Sequence, residues 1–239
     1  MKPPSPSEPV SELRRIPIRE CGEPLVDFLS SCPDLAHERP RFDYRRETLM
    51  RDGLLERLCR SANRLPPGLR LGVIEGWRAP VIQQRMYRAV WKQMCERYPD
   101  KSPIQLRRIV NRFSAPMDRR APPPHTTGGA VDLALLNDRG EALDLHSPFD
   151  LYDDRGFPFS AAGLSPEAAR NRSILAEALL AEGITNYPSE YWHWSYGDQG
   201  WAYRGGHPEA VYGALTPDGW EPDPRDVTDA PLEFVRIDR

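Results

Sequence analysis

The chain has 239 residues, of which 39% are hydrophobic and 28% charged, and its formal net charge is -3. That length supports one substantial domain with its own core, without disulfide or metal staples. The slight negative charge argues against a generic polyanion binder, which carries a strongly basic surface, and no apolar run approaches the length of a membrane span.

Met1 to about Pro40 reads as an irregular arm, broken by proline and charge around short apolar pieces such as Leu25 to Leu29, and able to wrap the domain. Met1 to Pro17 contains no apolar stretch that would serve as a signal-peptide core, so the expected location is cytoplasmic. Between Thr48 and Leu65, Leu54, Leu55, Leu58 and Ala62 fall at helical intervals, which predicts an amphipathic helix ended by Pro66-Pro67-Gly68. Leu69 to Glu75 predicts a short strand leading into Gly76-Trp77-Arg78-Ala79-Pro80.

Pro80 suits a helix start, and Ile82, Met86, Val90 and Met94 follow every four residues, with Tyr87, Trp91 and Tyr98 widening the stripe. A stripe of this kind is core rather than a cofactor box. A shorter helix is expected between Ile104 and Phe113, and the proline-rich loop from Ala115 to Pro124 then delivers His125. Ala130 to Leu136 predicts a strand, with a hairpin turn at Asn137 to Gly140. Ser165-Pro166-Glu167 combines a cap, a first-turn proline and an acid, predicting a helix to about Ala181 that Gly183 ends.

Ile184 to Tyr196 reads as strand material interrupted by Pro188, and Thr216 to Arg239 as a polar tail, laid on the surface or partly disordered. The organisation is therefore an arm over 1–40, a domain over 41–215 and a tail over 216–239. Helices and strands do not alternate regularly, which favours an α+β fold with a central, mainly antiparallel sheet flanked by helices. The four cysteines, Cys21, Cys32, Cys59 and Cys95, lack Cys-x-x-Cys spacing and are expected to be buried free thiols.

The chemistry concentrates in two segments, His125-Thr-Thr-Gly-Gly-Ala-Val-Asp132 and Glu190-Tyr-Trp-His193. Two imidazoles and a carboxylate that could complete a three-ligand zinc site are the parts of a metallohydrolase, in which the fourth position is left for a water that becomes a usable nucleophile near neutral pH if a base stands close by. Glycines between His125 and Asp132 let a loop turn sharply into a strand, so that both can converge. Asp132 lies in an apolar run and must be paired or coordinated; ligand and buried ion pair, with Arg78 as partner, stand level.

On a regular strand Glu190 and His193 would face opposite ways. Pro188 and Ser189 place Glu190 in a turn before the strand, near the metal without ligating it, where it would act as general base. The bland alternative is an exposed Glu and a core His; Trp192 and Trp194 are core under either reading. Arg78, at a strand-to-helix junction where Glu75 could orient it, suits transition-state charge, although a surface ion pair is the commoner use of such a residue.

Glu-Gly-Trp-Arg-Ala-Pro at 75–80, the His-x6-Asp motif at 125–132 and Glu-Tyr-Trp-His-Trp-Ser-Tyr-Gly-Asp at 190–198 resemble the D-alanyl-D-alanine dipeptidases. These are zinc peptidases of the vancomycin-resistance dipeptidase type, within the wider family of D,D- and L,D-carboxypeptidases. The resemblance spans about Leu49 to Gly213. It implies one zinc on His125, Asp132 and His193, Glu190 as catalytic base, Arg78 stabilising the transition state, and a compact α+β hedgehog/D,D-peptidase-like fold. It also implies a small closed pocket for a free dipeptide, with Asp150 of the Phe149-Asp150 pair helping to bind the ammonium group. Departures fall at Pro123, where the family usually has Ser, and at Leu145-His146-Ser147-Pro148, where it has Met-Gly. Both touch substrate loops. His146 is either an extra substrate contact or a plain loop residue.

The expected partner is a small dipeptide, with neither nucleic acid nor membrane involved. Alternatives are a peptidase for peptidoglycan stems or a specialised biosynthetic peptide, and a non-catalytic zinc- or peptide-binding module, against which Glu190 argues. Arg107, Arg108, Arg112, Arg119 and Arg120 form a basic stretch that is more simply a solvated helix face and loop than a nucleic-acid surface.

Overall fold

In the computed structural model, which describes residues 8–40, 42–149, 153–233 and 235, the elements follow in the order α1 (Val10–Leu13), β1 (Leu25–Asp27), α2 (Phe28–Ser31), β2 (Leu35–His37), β3 (Leu49–Arg51), α3 (Asp52–Ala62), β4 (Arg70–Glu75), α4 (Pro80–Arg97), α5 (Pro103–Val110), β5 (Ala130–Leu136), α6 (Pro166–Leu180), β6 (Thr185–Asn186), β7 (His193–Ser195) and α7 (Gln199–Gly205). The fold is α+β, as the element order suggested. Helix starts follow their local chemistry. Ser102 and Gln105 close a reciprocal capping box on α5, and the Ser165 hydroxyl accepts from the Ala168 amide at the head of α6. Helix α3 begins at Asp52 rather than near Thr48, because Leu49 to Arg51 pair with Leu25 to Asp27 and their backbone is already spoken for.

The central sheet runs β2-β4-β5-β7-β6, with β2 parallel to β4 and every other pair antiparallel. Along β5 the side chains alternate between faces. Val131 and Leu133, with Leu71, Val73 and Trp194 on neighbouring strands, pack against Leu54 and Leu58 of α3 and Leu175 and Leu179 of α6 to make the main core. The opposite face carries the site. There Asp132 pairs in register with His193 on β7 and with Glu75 on β4. Pairing between β4 and β5 shifts between Val73 and Glu75, so Ile74 is an extra residue in β4. Such a bulge re-aims the side chains next to it; both Ile74 and Glu75 line the cavity beside the site.

Three expectations are corrected. The stretch before residue 40 is not an irregular arm throughout, since β1 and β3 form a two-stranded sheet and β2 is an edge of the central one. Cys32 and Cys59 are not free thiols but a disulfide, with Cα atoms 6.2 Å apart. They lie 27 positions apart in sequence, and the packing of α2 beside α3 brings them together. Cys21 is exposed rather than buried and, like Cys95, is free. The described part of the tail lies on the surface, where Asp226 pairs with Arg85 of α4 and Leu232 is buried. No helix among the described residues is long and apolar enough to cross a membrane.

Arg172 of α6 is almost fully buried and donates to the carbonyls of Leu145 (2.7 Å), Gly156 (2.7 Å), Pro158 (2.6 Å) and Phe159 (2.9 Å), while its guanidinium lies 4.0 Å from the centre of the Tyr191 ring. One side chain thus pins a loop that has little regular structure of its own. Arg172→Ala leaves four carbonyls without their donor, and the expected loss is about 3 kcal/mol or more. Urea denaturation measures it as a lower midpoint.

Candidate metal centre and active site

His125 sits in a 3-10 turn, Pro124–Thr127, locked by its own hydroxyls. Thr126 Oγ1 donates to the Pro123 carbonyl at 2.7 Å and Thr127 Oγ1 to the Pro124 carbonyl at 2.6 Å. Gly128 then takes φ +70°, a conformation that disfavours a side chain, and the chain turns into β5. The imidazole is aimed by a distant residue: His125 Nδ1 lies 2.9 Å from the Gly76 carbonyl oxygen. That contact fixes the proton on Nδ1 and leaves Nε2 as a donor atom, the arrangement metal-binding histidines use. Gly76 is required there, since a Cβ would stand 2.6 Å from the Leu49 carbonyl oxygen.

His125 Nε2, Asp132 Oδ1 and His193 Nδ1 form a triangle with edges of 3.1, 3.1 and 3.4 Å. Donors held at about 2.0–2.1 Å from one tetrahedral ion lie about 3.3 Å apart. The three buried groups therefore fit a single divalent ion without rearrangement. Electrostatics point the same way. Burial, with Arg78 adding to it, lowers the His125 pKa to about 4, which keeps it neutral. Burial works to raise Asp132, but the two histidines outweigh it and hold the carboxyl well below its usual range. Burial alone would lower His193, yet Asp132, helped by Glu190, raises it.

A cavity of about 170 Å³ opens beside the triangle, lined by Glu75, Arg78, Asn111, Arg112, Tyr187, Glu190 and Trp192 among others. Glu190 lies in irregular structure before β7, as expected from Pro188 and Ser189. Arg78 is buried rather than a surface residue. Its Nη1 donates to Gln83 Oε1 at 2.8 Å and its Nη2 stands 3.5 Å from Glu75 Oε2. Its buried Nε has no hydrogen-bond partner among the described residues. Burial pushes Glu75 up to about 7 against the pull of Arg78, with Asp132 adding to the rise, and the Tyr44 hydroxyl donates to Glu75.

The structure thus gathers His125, Asp132, His193, Glu190 and Arg78 around one cavity. Asp150 lies outside the described residues. His146 is packed among the rings of Phe149, Phe157 and Tyr191, away from the cavity lining. Arg107 and Arg108 are exposed on α5, whereas Arg112 just beyond it reaches the cavity. Sequence reasoning missed the Gly76 carbonyl, Gln83, Tyr187 and the part played by Arg112. Tyr187, three residues before Glu190, was the one with a local signal.

Two histidines and an aspartate converging on one point, with a glutamate and an arginine on the adjoining cavity, are the side-chain set of a metallopeptidase. Residues 41–211 match the family described as D-ala-D-ala dipeptidase, and the chain belongs to it. A D-alanyl-D-alanine dipeptidase of Synechocystis sp. is 27% identical, over 87% of this chain and 98% of that protein. Shorter matches join it to D-alanyl-D-alanine dipeptidases of Escherichia coli (33% identical, 29% of this chain, 35% of that protein) and Enterococcus faecium (36% identical, 31% of this chain, 37% of that protein).

Proposed function

We propose that the protein is a zinc-dependent dipeptidase that hydrolyses a small D,D-dipeptide such as D-alanyl-D-alanine. The observation that carries this reading is the His125–Asp132–His193 triangle, sized for one ion and opening on a cavity that Glu190 and Arg78 share. A zinc ion bound there would polarise the peptide carbonyl and make water acidic enough to serve as nucleophile near neutral pH. Glu190 takes the proton of the attacking water and passes it to the nitrogen of the leaving amine. Arg78 aims its buried Nε–H at the oxygen on which charge develops, with Gln83 and Glu75 fixing the guanidinium plane. Arg112 adds a cation to the lining, suited to the substrate carboxylate.

Size supports a small substrate. A cavity of about 150 Å³ accepts a benzene-sized guest, and pockets for drug-sized ligands start near about 300 Å³; the volume here is about 170 Å³. A panel of dipeptides varying in stereochemistry and length, scored for hydrolysis with zinc present, tests the reading. Release of free D-alanine from D-alanyl-D-alanine, abolished by chelation, is the expected result; cleavage of longer stems alone, or of nothing, sinks it. A cytoplasmic setting goes with this reading, supported by the free thiols of Cys21 and Cys95, while the Cys32–Cys59 bond speaks for an oxidising one; cell fractionation decides between them.

A further inference from the structure

The start of the described chain lies against the catalytic cavity. Glu8, Val10 and Leu13 line it alongside His193 and Glu190, although they precede His193 by about 180 positions or more. This contact is built in several independent ways. Glu8 and Arg204 form an ion pair with side chains only 9% and 10% exposed. Arg204 also donates to Thr185 Oγ1 at 3.0 Å and to Ser195 Oγ at 2.5 Å, so the pair ties the segment to β6 and to the strand that bears His193. The side-chain amide nitrogen of Gln199 stands 3.0 Å from the Leu13 carbonyl oxygen and 2.7 Å from that of Ile16. Beyond them Arg14 pairs with Asp118.

Glu8 is also the one non-glycine residue among those described with positive φ, at 40°. A side chain in that region persists only where its surroundings over-determine it. Glu8 is therefore held at the cavity by more than chance packing. Val10 and Leu13 are apolar, only partly buried, and part of the cavity lining.

We propose that the segment Glu8–Leu13 is the wall that sets substrate length: Val10 and Leu13 cap the cavity, and the Glu8–Arg204 pair keeps it from opening into a groove that would admit a third residue. This rests on the dipeptidase reading above and deepens it. The segment supplies Glu8, Val10 and Leu13 to the lining of the cavity of about 170 Å³.

The test uses the full-length, zinc-loaded protein. Turnover of D-alanyl-D-alanine and of D-alanyl-D-alanyl-D-alanine is compared among the parent, a Val10→Ala/Leu13→Ala double variant and a Leu13→Trp variant. Calorimetric binding of both peptides is measured for the same wall variants in the Glu190→Ala background. The parent is expected to favour the dipeptide; the double variant lowers that preference about tenfold or more in turnover and binding, and Leu13→Trp sharpens it. An unchanged preference in both variants, with zinc content and near-UV dichroism like the parent's, overturns the wall, as does a parent that favours the tripeptide. Dipeptide bound yet not hydrolysed by the parent sinks the proposed reaction alone, provided the binding preference still responds to the wall variants. A protein that binds neither peptide overturns both.

Discussion

Glu190→Ala is expected to retain the metal and lose kcat by about 10²–10⁴-fold, the usual contribution of a positioned general base. Backbone hydrogen bonds hold the chain there. The Glu190 amide donates to the Tyr187 carbonyl at 2.9 Å, the Glu190 carbonyl accepts from Asn186 Nδ2 at 3.0 Å, and it also accepts from the His193 amide at 3.1 Å. Truncation should therefore leave the turn, and with it the position of His193, in place. Metal content by emission spectroscopy and steady-state rates on the same preparation separate the two roles. A variant as active as the parent removes Glu190 from the mechanism, and one that has lost its metal makes it a ligand.

His193→Ala has the opposite signature: metal and activity should go together. Two donors remain on His125 and Asp132, and the lost third corner of the triangle is the one that β7 supplies. Because an ion that binds only the folded state stabilises it by about 2.7 kcal/mol at one hundred times its dissociation constant, zinc should raise the melting temperature of the parent and leave that of the variant unmoved. The parent's response should depend on pH in a definite direction. Asp132 raises the His193 pKa above its ordinary value of 6.5 against the lowering effect of burial, so a proton on that imidazole competes with the metal more strongly than it would on a free one. Lowering the pH through that raised value favours the proton and shrinks the zinc-induced shift. His125, lowered to about 4, is already neutral there and adds nothing to the dependence until the solution is far more acidic. A zinc-induced shift retained in His193→Ala would contradict the assignment.

Much of this site was legible in the sequence because its signals are local. Thr-Thr-Gly-Gly announced a turn into a strand, Pro188-Ser189 announced that Glu190 stands outside β7, and the periodicity of Ile82, Met86, Val90 and Met94 announced α4. What stayed hidden depends on chain segments that meet only in the folded molecule. The Gly76 carbonyl that orients His125 lies 49 residues away, and Glu8 meets Arg204 across 196. Three-residue strands such as β2 carry too little pattern to be told from loop, so the edge of the central sheet was read as part of an arm. Arg112 was grouped with a solvated basic face because five arginines close in sequence look alike until packing separates them.

The extra residue in β4 has a consequence for how the protein tolerates change. Up to Val73 the odd-numbered side chains of β4 belong to the helix-covered core, and by simple alternation Glu75 would have joined them. Ile74 resets the count, and so the acid that braces Arg78 reaches the cavity instead of a layer of leucines. Strand register, and not composition alone, thus carries information at this point. Substitutions at Ile74 by other apolar residues preserve the offset, whereas a strand of the same length that paired straight through without the bulge would turn the Glu75 carboxylate toward the leucines of the core and strip Arg78 of its support in one step.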